Sequence, residues 1–244
     1  MMIRIFKNAN ELSAAAAEIF VQAARDAIAA KGSFTVALTG GSSPIKLYQL
    51  LATPVYSEQI DWANVYVFWC DERWVAMEDD RSNAKMAFET LLNFVDIPAR
   101  QIYPMYDAVQ KPEEFAAQYQ QEIKNIVGAD GAFDLILLGM GDDGHTASLF
   151  PGTEVLNEQE KWVAAYYLEA QDMYRITLTA PLINCAKQLV VITFGEKKIH
   201  ALHEVLEGTY NPALYPSQLL KPIDGQLLFL TDEVAASQLS YAVK

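Results

Sequence analysis

Cysteine is scarce in this sequence, with Cys70 and Cys185 the only two in 244 residues. Both lie in or beside apolar segments, which favours buried free thiols over a disulfide bond. An ordinary core must therefore stabilise the fold, and 52% hydrophobic residues are enough to build one. The sequence also lacks an internal repeat, a low-complexity tract and any shift in composition that would mark a linker. The length suits one α/β domain or two small ones, and we expect a single domain over residues 1–244.

Basic residues are also in short supply. The 18 Lys and Arg residues are outnumbered by 31 Asp and Glu residues, which gives a formal net charge of −13. This balance disfavours a nucleic-acid or anionic-membrane partner, because both bind basic surfaces. Any phosphate site must then be a local basic pocket in an acidic protein.

Long apolar runs are missing as well. No run approaches the ~18 residues of a membrane span, and residues 1–6 lack the hydrophobic region and the cleavage site of a signal peptide. We therefore expect no membrane partner, a cytoplasmic location, and a monomer or a weak homodimer.

Short apolar runs alternate with helical patterns along the chain. The clearest strands are expected at residues 34–39, 65–70, 133–138 and 188–194, and a last helix is expected at residues 232–239. Strands that alternate with helices predict a mostly parallel sheet covered by helices on both faces.

Polar segments follow the carboxyl ends of these four strands, at residues 40–43, 71–73, 139–145 and 195–198. In a parallel sheet those ends share one edge, where open α/β folds bind ligands. We therefore predict that the four segments meet at one crevice.

The segment at residues 139–152 reads Gly-Met-Gly-Asp-Asp-Gly-His-Thr-Ala-Ser-Leu-Phe-Pro-Gly. Its first three glycines allow a sharp turn after the strand. His145 suits a base that works near neutral pH, and Asp143, two residues earlier, either fixes its tautomer or binds something else. The alternative is a loop with a surface histidine.

The segment Gly40, Gly41, Ser42 and Ser43 is suited to an anion. It offers backbone N–H groups, two hydroxyls and a helix N-terminus. A plain strand-to-helix turn with a serine cap is the commoner use of such a sequence.

Three basic residues near these strand ends are further candidates. Arg73 lies beside Asp71 and Glu72 and is either part of a surface salt-bridge cluster or a fork for phosphate oxygens. Arg175 lies in an expected strand and needs a partner, either a structural carboxylate or the substrate. Lys198, in the first turn of a helix, is either solvated or part of the site.

Metal binding is not expected. His200 and His203 lie three residues apart on one helix, but no third ligand accompanies them. Asp142 and Asp143 precede His145, yet the loop lacks the regular oxygen-ligand spacing of a calcium site.

The full loop at residues 139–152 resembles the signature of the 6-phosphogluconolactonases. The resemblance extends, in the family's order, to residues 40–44, 71–73, 82–83, 175–179 and 195–198, and so covers most of the chain. It implies a Rossmann-like three-layer α/β sandwich with a mostly parallel sheet, shared with glucosamine-6-phosphate deaminases and ribose-5-phosphate isomerases. It also implies hydrolysis of 6-phospho-D-glucono-1,5-lactone to 6-phosphogluconate in the oxidative pentose phosphate pathway, with no cofactor.

The resemblance implies roles for single residues. His145 matches the family's general base, and Asp143 matches the aspartate before it. The positions that line the family's site are matched by Gly41, Ser42, Arg73, Arg175 and Lys198, and phosphate is the expected target of the basic ones. A lactone carbonyl is electrophilic enough for attack by water, and N–H groups of the glycine loop (Gly141 and Gly144) or a nearby cation would stabilise the oxyanion.

Other readings of the same residues stay open. One is a glucosamine-6-phosphate deaminase or isomerase, whose loop begins similarly but continues differently from residues 146–151. Another is a non-catalytic sugar-phosphate sensor, which would have no need of a titratable histidine. Ser148 is a rival nucleophile, but it lacks the G-x-S-x-G elbow.

Overall fold

Two sheets organise the part of the chain that the structure, a computed structural model, describes: residues 1–240. The strands are β1 Met2–Phe6, β2 Phe34–Leu38, β3 Val65–Trp69, β4 Asp71–Arg73, β5 Leu135–Gly139, β6 Val163–Leu168, β7 Met173–Leu178, β8 Gln188–Ile192 and β9 Gln226–Asp232. The α-helices are α1 Ala9–Lys31, α2 Ile45–Leu51, α3 Pro54–Ser57, α4 Asn83–Thr90, α5 Pro112–Ile126, α6 Ala180–Ile183 and α7 Ile199–Leu206.

The larger sheet has six strands in the order β1-β9-β8-β5-β2-β3, and every neighbouring pair is parallel. All five residues of β2 are buried, as are four of the five residues of β5 and of β8. These strands read as continuous apolar runs because both of their faces are covered. The predicted α/β fold with a mostly parallel sheet is confirmed.

Helix α1 covers one part of this sheet. It begins after Asn8, whose side-chain oxygen accepts hydrogen bonds from the N–H groups of Asn10 and Glu11 at 3.0 Å, and it ends at Gly32 in the left-handed region. Its small and apolar face packs on β1, β2 and β9 and against α2. Within residues 1–240, no helix is both long and apolar enough to cross a membrane.

The smaller sheet is antiparallel, with the order β4-β7-β6, and α5 packs on β6 and β7. The sequence analysis did not predict it, because residues 71–73 are polar and too short to show a strand pattern. In the structure Arg73 pairs with Arg175 across β4 and β7. The small sheet thus carries both arginines to the carboxyl edge of the large one.

The helix expected at residues 232–239 is wrong, because that segment forms turns. Strand β9 runs through Asp232, which pairs with Phe6, and the N–H of Glu233 donates to the Phe6 carbonyl at 2.8 Å. The Asp232 carboxylate accepts the N–H groups of Gly195 and Ala235 at 3.0 and 2.9 Å. The pairing of β9 with β1 and the hydrogen bonds to the Asp232 carboxylate stabilise this conformation in place of the helix that composition alone favours.

A buried carboxylate fixes the opposite, amino edge of the large sheet. Asp134 accepts the backbone N–H and the hydroxyl of Thr35 at 2.9 Å and forms ion pairs with Lys31 and Lys187, also at 2.9 Å. Thr35 lies in β2, Lys31 ends α1 and Lys187 precedes β8. Asp134, just before β5, therefore joins four elements through one side chain.

Candidate active site

A cleft opens at the carboxyl edge of the large sheet, where the sequence predicted it. Its lining is drawn from segments that follow β2, β3, β5 and β8, together with Arg175 of β7; it consists of Thr39, Gly40, Gly41, Ser42, Ser43, Asp71, Arg73, Asn83, Gly139, Met140, Gly141, His145, Ala147, Arg175 and Lys198. Every candidate site residue named from the sequence lies in this lining except Asp143 and Gly144. The four segments therefore meet at one cleft, as the sequence predicted.

The imidazole of His145 is held from two sides. Its Nδ1 lies 2.5 Å from Oδ1 of Asp143, and the same oxygen accepts the backbone N–H of His145 at 3.1 Å. The ring of Phe150 stacks on it with centroids 4.1 Å apart. This geometry fits the tautomer in which Nδ1–H donates to Asp143 and Nε2 keeps its lone pair for the cleft.

The Asp143 carboxylate is charged in this arrangement. Burial alone would raise its pKa, but the hydrogen bond and the charge of His145 outweigh burial and lower the pKa below its usual value. Asp143 lies outside the cleft lining, and its contact with the cleft is through the imidazole of His145.

The glycine loop closes on itself. The N–H of Gly141 donates to the carbonyl of His145 at 2.8 Å, and the N–H of Gly144 donates to the carbonyl of Gly141 at 3.1 Å. A Cβ on Gly141 would overlap the His145 ring and crowd Asp143, so only glycine fits there. Because both N–H groups are used inside the loop, neither is free for the oxyanion role expected of Gly141 and Gly144.

Free backbone donors lie instead after β2. Within residues 1–240, the N–H groups of Gly40, Gly41, Ser42 and Ser43 have no hydrogen-bond partner. Gly40 is required because a Cβ would overlap the side chain of Asn83. This segment has the open N–H groups that the sequence analysis predicted for an anion cradle.

Two guanidinium groups have buried N–H groups without partners. Arg175 is 3% exposed; its Nη2 donates to Gln171 at 3.0 Å, whereas Nε and Nη1 have no partner within residues 1–240. Burial lowers the pKa of Arg175, and Asp71 partly offsets this. Arg73 donates through Nη1 to the carbonyl of Arg81 at 2.6 Å, and its Nε has no partner. These unpaired N–H groups can donate hydrogen bonds to an anion, which would offset the cost of burying their charge.

Glu72 forms a hydrogen bond with the backbone of Arg73 on the side away from the cleft. Its carboxylate accepts the N–H groups of Arg73, Asn83 and Ala84 at 2.8 Å and the hydroxyl of Ser82 at 3.1 Å. Burial raises the pKa of Glu72 to about 7, although these N–H groups act in the opposite direction. The acid faces away from the cleft and joins β4 to the N-terminus of α4.

Asp71 and Ser148 form a buried pair at the bottom of the cleft. The hydroxyl of Ser148, which is 0% exposed, donates to Oδ2 of Asp71 at 2.6 Å. Asn83 donates to the Asp71 carbonyl at 2.9 Å. The preceding residue, Ala147, has a φ of +49°, a conformation that costs energy for a residue with a Cβ. Ser148 is thus bonded to an acid rather than to His145, which argues against the serine as nucleophile.

Lys198 connects the last lining segment to the histidine loop. Its ammonium donates to the carbonyl of Met140 at 2.6 Å and lies 2.6 Å from Oδ1 of Asp142. The other two histidines are bonded elsewhere, His200 to Tyr215 and His203 to Glu204. No group of three or more His, Cys, Asp or Glu side chains in residues 1–240 is placed to hold a metal ion.

Sequence reasoning missed several contributors to the cleft. Asn83 was noticed only through the family resemblance, and Thr39, Met140 and Phe150 were given no role. Thr39 contacts Gly139 and the Met140 carbonyl contacts Lys198, which are distant in the sequence, so no local pattern signals these contacts.

Comparison with known proteins assigns the family. The model of the family described as "Glucosamine-6-phosphate isomerases/6-phosphogluconolactonase" matches residues 7–229. The chain belongs to this family. A 6-phosphogluconolactonase of Synechocystis is 40% identical over 217 residues, which cover 87% of this chain and 88% of that protein. A 6-phosphogluconolactonase of Nostoc is 35% identical over 98% of both chains.

Solved structures agree with this assignment. The 6-phosphogluconolactonase of Trypanosoma brucei superposes with a TM-score of 0.83 at 27% identity, covering 98% of each chain. A monomeric glucosamine-6-phosphate deaminase superposes with a TM-score of 0.84 at 20% identity, covering 97% of this chain and 99% of that one. At that identity the second likeness concerns the fold alone, so the shape of the backbone does not separate the two activities.

Proposed function

We propose that this chain hydrolyses 6-phospho-D-glucono-1,5-lactone to 6-phospho-D-gluconate, a step of the oxidative pentose phosphate pathway. One observation carries the proposal: a single cleft joins an Asp143-supported imidazole to two guanidinium groups with buried, unpaired N–H donors. Relatives that align with nearly the whole chain bear the name of this activity.

The phosphate of the substrate would bind the two arginines and the ammonium of Lys198, which line the same cleft. The Nε of Arg73 and the Nε and Nη1 of Arg175 have N–H groups that can donate hydrogen bonds to phosphate oxygens. Fixing this end of the substrate places C1 of the lactone ring near His145, which contributes orientation rather than chemistry.

The imidazole then acts as a general base. Nε2 of His145 takes a proton from water while the water oxygen bonds to C1, and the carbonyl oxygen becomes negative. The free N–H groups of residues 40–43 are the donors available to that oxygen. Collapse of the tetrahedral intermediate breaks the bond from C1 to the ring oxygen, which takes the proton back from His145.

The chain is proposed to work as one catalytic domain over residues 1–244, as a monomer or a weak homodimer, in the cytoplasm. The net charge of −13 makes a nucleic-acid partner unfavourable.

A two-substrate assay tests the proposed activity. Freshly generated 6-phosphogluconolactone and glucosamine 6-phosphate are offered separately, with acid release recorded for the first and ammonia for the second. We expect acid release well above the spontaneous rate and no ammonia. Ammonia production with lactone opening no faster than the blank would replace the proposal by the deaminase activity.

A further inference from the structure

The ammonium of Lys198 is shared between the cleft and an acid of the histidine loop. It lies in the cleft lining, yet one of its donors serves the carbonyl of Met140 and another serves Asp142, each at 2.6 Å. An ammonium has three N–H donors, so one is left for a ligand. The Lys198 side chain is 18% exposed, whereas that of Asp142 is 55% exposed.

Asp142 is not needed to hold the histidine loop. The loop is fixed by bonds from Gly141 and Gly144 to its own carbonyls, by the N–H of Ser217 to the Gly144 carbonyl at 2.9 Å, and by the hydroxyl of Thr146 to the Gly139 carbonyl at 2.9 Å. None of these bonds involves the Asp142 side chain. Within residues 1–240, the Asp142 side chain forms an ion pair with Lys198.

An anion on the third donor of Lys198 would meet the charge of Asp142. Two acceptors on one ammonium lie about 4–5 Å apart, given ordinary hydrogen-bond lengths. At that separation, the repulsion between two like unit charges in water weakens binding by about fivefold. A phosphate carries nearly two charges, so the effect on its binding is larger. The acid therefore opposes the binding of phosphate at Lys198 or must release the lysine first.

We propose that Asp142 is a positioning residue that sets the phosphate affinity of the cleft by holding Lys198. In the ligand-free protein the acid keeps the ammonium directed at the histidine loop and neutralises it. A phosphorylated ligand must compete with this internal carboxylate, which weakens binding and favours product release. The inference rests on the proposed function for the identity of the phosphate site, although its test needs no turnover.

The test measures binding of inorganic phosphate by calorimetry to the wild type and to Asp142→Asn. The amide keeps the size of the side chain and an acceptor for Lys198 but removes the charge. We expect phosphate to bind about fivefold to twentyfold more tightly to the variant. With the lactone, KM should fall in parallel while kcat stays within about twofold, because the bonds that hold His145 remain.

Two further variants isolate the cause. Asp61→Asn removes the same charge from an exposed aspartate that precedes β3, at the amino edge of the sheet. It should leave phosphate binding unchanged. In a Lys198→Gln background, Asp142→Asn should lose most of its effect, because there is no ammonium left to release.

Opposite results overturn the inference. If Asp142→Asn binds phosphate no more tightly than the wild type, or if no variant binds phosphate, Asp142 does not set this affinity. A gain that survives intact in the Lys198→Gln background would also exclude action through the lysine. Phosphate binding is measured without turnover. If Asp142→Asn binds phosphate more tightly but the protein does not hydrolyse the lactone, the proposed function is contradicted and this inference is not.

Discussion

At the scale of single residues, Arg175 combines burial with unpaired donors. A guanidinium that is 3% exposed and leaves two nitrogens without partners is unfavourable in the free protein. A ligand that accepts hydrogen bonds from these two nitrogens would offset this cost. The guanidinium also lies 5.3 Å from the centre of the Phe150 ring, which stacks on His145.

Replacement of Arg175 by Gln tests the phosphate assignment. Charge-assisted hydrogen bonds are worth about 1.5–3 kcal/mol, so kcat/KM for the phosphorylated lactone should fall about 10- to 100-fold more than that for unphosphorylated glucono-1,5-lactone. The comparison is made within one variant, so partial misfolding cancels. Arg25→Gln, at an exposed arginine of α1, is the matched control. Equal losses for both lactones would place Arg175 at the carbonyl or in the fold only.

Several residue roles were predictable from spacing, and others were not. The two-residue interval between Asp143 and His145 suffices for their contact, because one turn brings both side chains to the same side. The role of Glu72 was not predictable, since it depends on how α4 returns to β4 ten residues later. The bond between Ser148 and Asp71 joins segments 77 residues apart.

At the scale of elements, the histidine loop at residues 139–145 depends on a glycine at position 141. Gly141 lies against the imidazole so closely that a Cβ would displace His145 or Asp143. The turn from β5 into this loop was predicted from its glycines. The small antiparallel sheet was not, because β4 has only three residues and its pairing with β7 is decided by tertiary contacts.

Gly141→Ala should therefore damage catalysis more than stability. We expect turnover to fall about 10²-fold or more, because a displacement of about 1 Å at the base is enough for such a loss. Gly32→Ala provides the contrast. This glycine ends α1 with a φ of +79°, so alanine there should cost about 1 kcal/mol of stability and leave turnover unchanged. A Gly141→Ala protein with normal turnover would show that the loop tolerates the shift.

At the scale of the whole molecule, Asp134 links stability to pH. Burial opposes its charge, but the bonds from Thr35 and the ion pairs with Lys187 and Lys31 outweigh burial and lower its pKa. Because the folded pKa is the lower one, the unfolded chain takes up the proton first as the pH falls. The stabilisation is thus complete above the ordinary aspartate range, near ~4, and is lost as the pH falls through the folded pKa.

Asp134→Asn should lower the free energy of unfolding by about 1–3 kcal/mol at pH 7. Urea denaturation at pH 7, 5 and 3.5 measures this difference, which should shrink at the lowest pH because Asp134 of the unfolded wild type takes up a proton there before the folded carboxyl does. Asp26→Asn, at an exposed aspartate of α1, should have little effect at any pH. A difference that stays constant down to pH 3.5 would contradict the assignment of the stabilisation to the Asp134 charge.

The whole chain brings two arginines, Lys198 and one imidazole to the same cleft, and the proposed reaction depends on that imidazole as the base. The most direct measurement is the turnover of 6-phosphogluconolactone by His145→Ala, with spontaneous opening subtracted. His200→Ala serves as the control, because His200 lies outside the cleft lining. The account predicts a fall of about 10²- to 10⁴-fold for His145→Ala, with much weaker effects on substrate binding and none for the control. Turnover near that of the wild type would remove His145 from the reaction and contradict the account.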